Sequence, residues 1–284
     1  MKVQAIIALK ADFSLPVLLH AAGLARSTFF YHQARLKAPD PNEAVKTAAT
    51  TIFTKNHGRY GHRRIHTELT RQGRTIAKKT VLKLMRSLQL VCKVRQRKRY
   101  NSYQGEQGKT APNLLNREFD ADAPNQKWVT DVTEFRVDGR KLYLSPVMDL
   151  FDRQILSYTI GLSPNLALTN TSLRMALATL EYEQKPLVHS DQGFQYQHAS
   201  WRRLLQGANA IQSMSRKGNC YDNAVMENFF GHLKEELFHH VRILSTGALT
   251  SAIHEYIRWY NTERISTKLE GLSPVQYRAQ ALKV

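Results

Sequence analysis

Asp131, Asp191 and Glu227 are the residues whose type and setting point most directly to chemistry in this chain of 284 residues. Asp131 lies in Trp128-Val129-Thr130-Asp131-Val132-Thr133, a stretch that alternates like a strand. Asp191 ends a short apolar run in His189-Ser190-Asp191-Gln192-Gly193. Two carboxylates held close together repel, and the arrangement is tolerable mainly when a divalent cation sits between them. Oxygen ligands of this kind suit Mg²⁺ or Mn²⁺, which keep several waters and bind substrate phosphates directly. Glu227 opens a segment in which Met226, Phe230, Leu233 and Leu237 form an apolar helical stripe. Gly231 and Lys234 follow Glu227 at i+4 and i+7, so one helical face would present a carboxylate, room for a phosphate backbone and a cation. Taken singly, each acid has a plainer reading: a strand-end hydrogen-bonding residue, a turn residue before Gly193, and a helix-surface acid. Glu134, Asp149 and Asp152 compete, although alternation places Glu134 on the opposite face of the strand from Asp131.

The elements that must hold these acids read as strands and helices in alternation after Pro124. Strands are expected over Lys127 to Val137, Lys141 to Met148 and Gln154 to Gly161, with Gly139 supplying the first turn. A helix over Leu168 to Glu183 follows, then a strand from Pro186 to Ser190, a helix from Ser200 to Leu205 and a strand from Ile211 to Met214. Helices from Ala224 to Phe238 and near Ala252 to Tyr260 complete the pattern. A meander followed by alternating helices and strands is the order of a ribonuclease-H-like, mixed five-stranded sheet flanked by helices, an α/β (α+β) class. In such a sheet the strands of Asp131 and Asp191 are neighbours, and their carboxyl ends meet at one crevice.

The first half of the chain differs in composition. The whole chain carries 41 Lys and Arg against 23 Asp and Glu, a net charge of +18. Between Lys55 and Lys109 sixteen basic residues face only Glu68 and Glu106, a balance of +14. A basic block so concentrated fits a polyanion, since each phosphate neutralised releases counterions. Residues 1–40 contain a helix-turn-helix-like segment, Pro16 to Ala22, Gly23, then Ala25 to Leu36, with Arg26, Ser27, Thr28, Tyr31 and His32 on one polar side. Pro39-Asp40-Pro41 marks a break. Residues 44–100 read as a basic helical DNA-binding domain, with Ile65, Leu69, Val81, Leu82, Met85 and Leu88 inside and Arg63, Arg64, Lys78 and Lys79 outside. Lys93, Arg95, Arg97, Lys98 and Arg99 extend it as an arm along phosphates. Residues 101–120 have linker composition, and 121–284 are expected to form the core with a C-terminal helical extension. His57, His62, His66 and Cys92 lack the second cysteine that a zinc knuckle of this type needs. No run of 18 apolar residues and no signal-peptide pattern is present, so no membrane partner is expected and the expected location is the cytoplasm, associated with the nucleoid.

Three motifs change the weight of these readings. Trp128 to Thr133, His189 to Tyr196, and Lys217 to Phe230 resemble the catalytic core of DDE transposases and retroviral integrases, specifically the OrfB-type transposases of bacterial insertion sequences. Thirty-five residues separate Asp191 from Glu227, the interval that names the family's D,D-35-E pattern, and Lys234 stands seven after the glutamate as in that family. The likeness continues through Tyr60-Gly61-His62-Arg63-Arg64-Ile65, Tyr260-Asn261-Thr262-Glu263-Arg264 and Leu272 to Tyr277. Ser266 departs from it, standing where many relatives have histidine.

The resemblance implies a polynucleotidyl transferase in which Asp131, Asp191 and Glu227 are catalytic and hold two Mg²⁺ or Mn²⁺ ions per site. Phosphodiester cleavage at an element's end would be followed by attack of the freed 3′-hydroxyl on target DNA, the steps of DNA integration and recombination. Lys234 and Lys217 would contact DNA phosphates, while His189, Gln192, Asn219 and Asn223 would support the ligands or touch DNA. Expected partners are double-stranded DNA, an upstream-frame product or frameshift fusion, and further copies of the chain on DNA. A ribonuclease-H-like nuclease and a non-catalytic DNA-binding regulator of transposition are the alternatives.

Overall fold

The computed structural model describes residues 2–92, 110–217, 219–238 and 243–283. Three helices open the chain: α1 (Lys2–Leu9), α2 (Leu15–Ala22) and α3 (Arg26–Lys37). Gly23 ends α2 with φ 57° and ψ 45°, a left-handed conformation that glycine adopts without a Cβ clash, and its N–H donates to the last carbonyls of the helix. Ile6, Leu18, Leu19 and Phe29 form a small core of their own. Arg26, Ser27, Tyr31 and His32 of α3 are exposed.

The basic unit comprises α4 (Glu43–Lys55), α5 (His62–Arg71) and α6 (Lys78–Ser87). Its inward stripe, Ala49, Ile52, Ile65, Leu69, Val81 and Met85, belongs to the same apolar cluster as Val129, Phe135 and Leu144 of the sheet. The buried Ile, Leu, Val and Met side chains, worth about 1.5–3 kcal/mol apiece, join the unit's apolar stripe to the same core as the sheet. Residues 110–120 were expected to be linker, yet Leu115 is buried and the Leu114 and Leu115 N–H groups donate to Ser213 Oγ at 2.9 and 3.1 Å. Local composition could not foresee partners nearly a hundred residues away.

The sheet contains β1 (Lys127–Thr130), β2 (Thr133–Val137), β3 (Arg140–Asp149), β4 (Ile155–Gly161), β5 (Leu187–Ser190) and β6 (Ile211–Met214). One edge of β3 pairs antiparallel with β4, and its other edge is shared end to end by β2 and β1. β1 then pairs in parallel with β5, and β5 with β6. The sequence reads 127–137 as one strand; the chain instead breaks at Asp131-Val132 and resumes as β2. Counting that bent strand once, the sheet is the expected mixed, five-stranded, ribonuclease-H-like one.

Helix α7 (Leu166–Leu177), the short α8 (Phe194–Gln197) and α9 (Ala199–Gly207) cover one face through Leu173, Ala176, Tyr196, Trp201 and Leu205. The other face carries α10 (Ala224–Leu233), α11 (Thr246–Thr262) and the basic unit. Helix α7 stops short of the predicted Glu183 because Thr179 Oγ1 donates to the Ala176 carbonyl and the chain turns. Helix α12 (Pro274–Ala281) closes the chain with a capping box between Ser273 and Gln276. Among the described residues no helix is long and apolar enough to cross a membrane.

Candidate active site

Asp131 occupies the break between β1 and β2, where its Oδ1 accepts the Val132 N–H at 2.7 Å. The break frees the carboxylate from the ladder and turns it past the strand's end. On the neighbouring parallel strand, Val129 faces His189 in register, so the two aspartates leave the sheet at the same edge, each two residues on. Asp191 Oδ1 accepts the Gly193 N–H at 2.9 Å. A Cβ at Gly193 would stand 3.0 Å from that same Oδ1, so only glycine lets the backbone approach the carboxylate this closely.

Glu227 sits in the first turn of α10, which packs Met226, Phe229, Phe230 and Leu233 into the core. A 3₁₀ turn, Cys220–Asn223, leads into it, and Asn223 Nδ2 donates to the Thr130 carbonyl at 3.2 Å. That bond ties the start of the glutamate helix to the residue before Asp131. Beyond Leu233 the helix continues as a π-helical turn, Lys234–Phe238. Lys234 Nζ stands 5.4 Å from the centre of the Phe135 ring on β2.

The electrostatics tie the four residues together. Burial pushes the Asp131 carboxyl well above its usual range; the charges of Asp191 and Glu227 push it further, while the Val132 N–H and Lys234 oppose them. Asp191 is raised as well, by burial. Asp131 and Asp191 are thus desolvated acids whose cationic compensation is small. Such a donor set, hard oxygens in a partly dehydrated crevice, fits a divalent cation. Among the described residues no three His, Cys, Asp or Glu side chains already form a closed metal cage. The two aspartates thus end adjacent parallel strands, and Asn223 ties the start of the Glu227 helix beside them.

Known proteins carry the same organisation. Residues 121–220 match the family described as integrase core domain, residues 227–282 match a second family of that description, and residues 40–98 match an HTH-like domain. The chain is 47% identical over 272 residues to InsK of insertion sequence element IS150 from Escherichia coli (strain K12), covering 96% of each. It is 32% identical over 278 residues to transposase InsF for insertion sequence IS3A of the same organism, again covering 96% of each. The chain belongs to the integrase-core transposases of bacterial insertion sequences. The transposase is also 41% identical over 282 residues to the IS1353 counterpart of Shigella flexneri, where it spans 98% of its own length and 54% of that relative. Among solved structures, the HTLV-2 integrase catalytic core in complex with magnesium is 18% identical, with 55% of this chain and 98% of that one covered and a TM-score of 0.45.

The remaining expected site residues of the transposase divide by location. His189 lies wholly inside, its ring nitrogens 2.8 and 3.0 Å from the Ser213 and Ser215 hydroxyls, and burial lowers its pKa to about 4. It braces the strand behind Asp191 and does not reach a DNA surface. Gln192 Nε2 donates to the Ser215 carbonyl at 3.0 Å, and Asn219 caps the 3₁₀ turn by accepting the Tyr221 N–H. Lys217, Arg63, Lys78 and Lys79 are exposed. Arg64 corrects its sequence reading, which put it on the outside of the basic unit: it turns inward to Glu236, at 3.5 Å, with its ring-facing side over Tyr60. One helical turn offers both faces, and Arg64 joins a buried carboxylate already held by Arg264 and Tyr256. Lys93, Arg95, Arg97, Lys98 and Arg99 lie outside the described residues.

Two residues escaped the sequence reading as individuals. Asp222 is fully buried and accepts from Arg117 Nε at 2.8 Å, Arg216 Nε at 2.9 Å and Asn113 Nδ2 at 2.9 Å. It stakes the loop before α10 to the segment before β1. Tyr196 packs beneath the two aspartates, where burial and their charges push its hydroxyl well above its usual range. Both stand inside quoted motifs, but residue type alone does not separate a clamp from a ligand.

Proposed function

We propose that the transposase cuts and rejoins DNA strands with Asp131, Asp191 and Glu227 as the metal-holding carboxylates. The observation that carries this reading is the desolvated crevice in which Asp131 feels Asp191 and Glu227 as neighbours and Lys234 as its counter-charge. Two Mg²⁺ or Mn²⁺ ions bound there would supply a lowered pKa for the attacking hydroxyl and charge stabilisation at the phosphorus. The chain's own residues orient the reaction. Asp131 and Asp191 stand at adjacent strand ends, and Asn223 holds the Glu227 helix against them. Lys234 supplies a cation for a non-bridging phosphate oxygen.

Water opens the phosphodiester at the element's end, forming one P–O bond as another breaks and leaving a 3′-hydroxyl. That hydroxyl then attacks a target phosphate; the second exchange conserves the number of phosphodiesters, so no nucleotide cofactor is consumed. Double-stranded DNA is the substrate, held by the exposed basic face of α5 and α6, Arg63, Lys78 and Lys79, with Lys217 near the crevice. The IS1353 relative is nearly twice as long, which supports a working form in which this chain is joined to an upstream-frame product; that form would act as a multimer on DNA in the nucleoid.

Purified protein with Mg²⁺ and a labelled element end should yield joined products, lost in Asp131→Asn, Asp191→Asn and Glu227→Gln. Cleavage without joining would instead assign a nuclease, and transposition untouched by all three substitutions would assign a non-catalytic regulator.

A further inference from the structure

One buried acid of the chain is surrounded more completely than its place in the core requires. Glu236 lies on the π-helical turn, nine residues after Glu227 on the same continuous helix, and is 3% exposed. Its Oε2 accepts Arg264 Nε at 2.9 Å and the Tyr256 hydroxyl at 2.8 Å; its Oε1 accepts Arg264 Nη2 at 2.6 Å and lies 3.5 Å from Arg64 Nη1 and 3.6 Å from His232 Nδ1. The backbone carbonyl of the same residue accepts Arg59 Nε at 3.2 Å, and the Arg59 guanidinium lies 4.7 Å from the Trp259 ring centre. Tyr60, between those arginines, accepts the Ile265 N–H at 2.9 Å and donates to the Glu263 carbonyl at 3.2 Å. Donors thus converge from the glutamate helix, from α11 and the loop after it, and from the entry to α5.

A buried ion pair is a weak source of stability, because apolar residues of the same volume would often serve as well. Its value lies in geometry, since it admits one arrangement of its members. A π turn needs an extra residue in the helix and occurs chiefly where a side chain must be aimed. Here it turns Glu236 inward, toward Arg264, while Glu227 and Lys234 of the same helix stay on the crevice side.

We infer that Glu236 is a positioning residue: with Arg64 and Arg264 it forms a rigid joint that makes the basic helical unit and the Glu227 helix move as one body. DNA engaged by α5 and α6 is thereby held in fixed relation to the third carboxylate. The inference rests on the carboxylate reading of the site and goes beyond it by assigning the link between DNA-binding unit and ligand helix.

The test compares Glu236→Gln, Arg64→Met and Arg64→Lys in the full chain, each first shown to be folded by circular dichroism. Arg64→Met leaves the Glu236–Arg264 pair intact, so it carries the test if Glu236→Gln does not fold. Binding of Mn²⁺ alone, counted by paramagnetic resonance without DNA, should weaken about tenfold in the Gln and Met variants. Turnover on a labelled duplex should fall about tenfold to a hundredfold in kcat with KM for DNA little changed, and Arg64→Lys should recover most of it. Wild-type Mn²⁺ affinity and kcat in both folded variants, or a loss confined to KM, would overturn the joint. Wild-type protein whose Mn²⁺ binding ignores Asp131→Asn would instead overturn the carboxylate reading itself, and the joint with it.

Discussion

Two pairs of acids differ in what surrounds them. At the crevice, Asp131 and Asp191 are pushed up by burial, and Asp131 further by its acidic neighbours, with Lys234 the cation that opposes this. Asp222 and Glu236 are less exposed than the half-buried Asp131 and Asp191, yet are held down. Burial alone would raise Glu236, yet Arg264, Arg64 and His232 bring it to about 2; Arg216 and Arg117 hold Asp222 below the ordinary carboxylate range. The difference is the number of guanidinium groups aimed at each carboxylate. A compensated acid acts as a fastener, whereas the under-compensated pair of Asp131 and Asp191 has the charge balance that the proposed metal site requires.

The comparison breaks most sharply under substitution. Asp131→Asn should lower strand cleavage by roughly a thousandfold or more, about 4 kcal/mol of barrier, while leaving the metal-free protein as stable as before or more so. Turnover and thermal melting measured on the same preparation check both halves; a large loss of stability would place Asp131 among the fasteners. Asp222→Ala should do the reverse, destabilising the fold by about 3–5 kcal/mol because Arg117 and Arg216 lose their shared partner. Solvation of those half-exposed arginines moves the result toward the lower figure, and urea unfolding reads it.

Acid separates the sets more gently. Glu236 takes up its proton near 4.5 in the unfolded chain and near 2 in the folded one. Its contribution is full above pH 4.5 and disappears as pH falls toward 2, a loss of about 3 kcal/mol as an order of magnitude. Glu236→Gln should flatten that part of the stability profile while the slope elsewhere persists. The smallest effect is expected on the surface. Arg63→Ala, Lys78→Ala or Lys79→Ala should each reduce the salt slope of DNA binding by about one ion, whereas Arg64→Met, whose side chain faces Glu236, should leave it unchanged.

Much of the proposed site could be read before any fold was known. The motifs around Asp131, Asp191 and Glu227, their interval and the stripe behind Glu227 are local patterns, and local patterns survive in one dimension. The class of sheet, and the adjacency of the Asp131 and Asp191 strands within it, followed from the alternation of strands and helices. The Asp131 break did not, because a strand interrupted for two residues keeps the alternation of an unbroken one. Arg64 was misread for a related reason: on a basic helix a guanidinium that faces solvent and one that faces a buried acid have the same neighbours in sequence.

By itself, then, the sequence determined the family and the class of fold and singled out the three acids proposed for the site, since these rest on residue type and short-range spacing. Tertiary structure alone decided which acids are compensated. Glu236 meets Arg64 across 172 positions and Asp222 meets Arg117 across 105. Charges that far apart in the chain become partners only when packing removes the water between them, and that removal is what gives Glu236 its guanidinium partners while Asp131 gains mainly acidic neighbours.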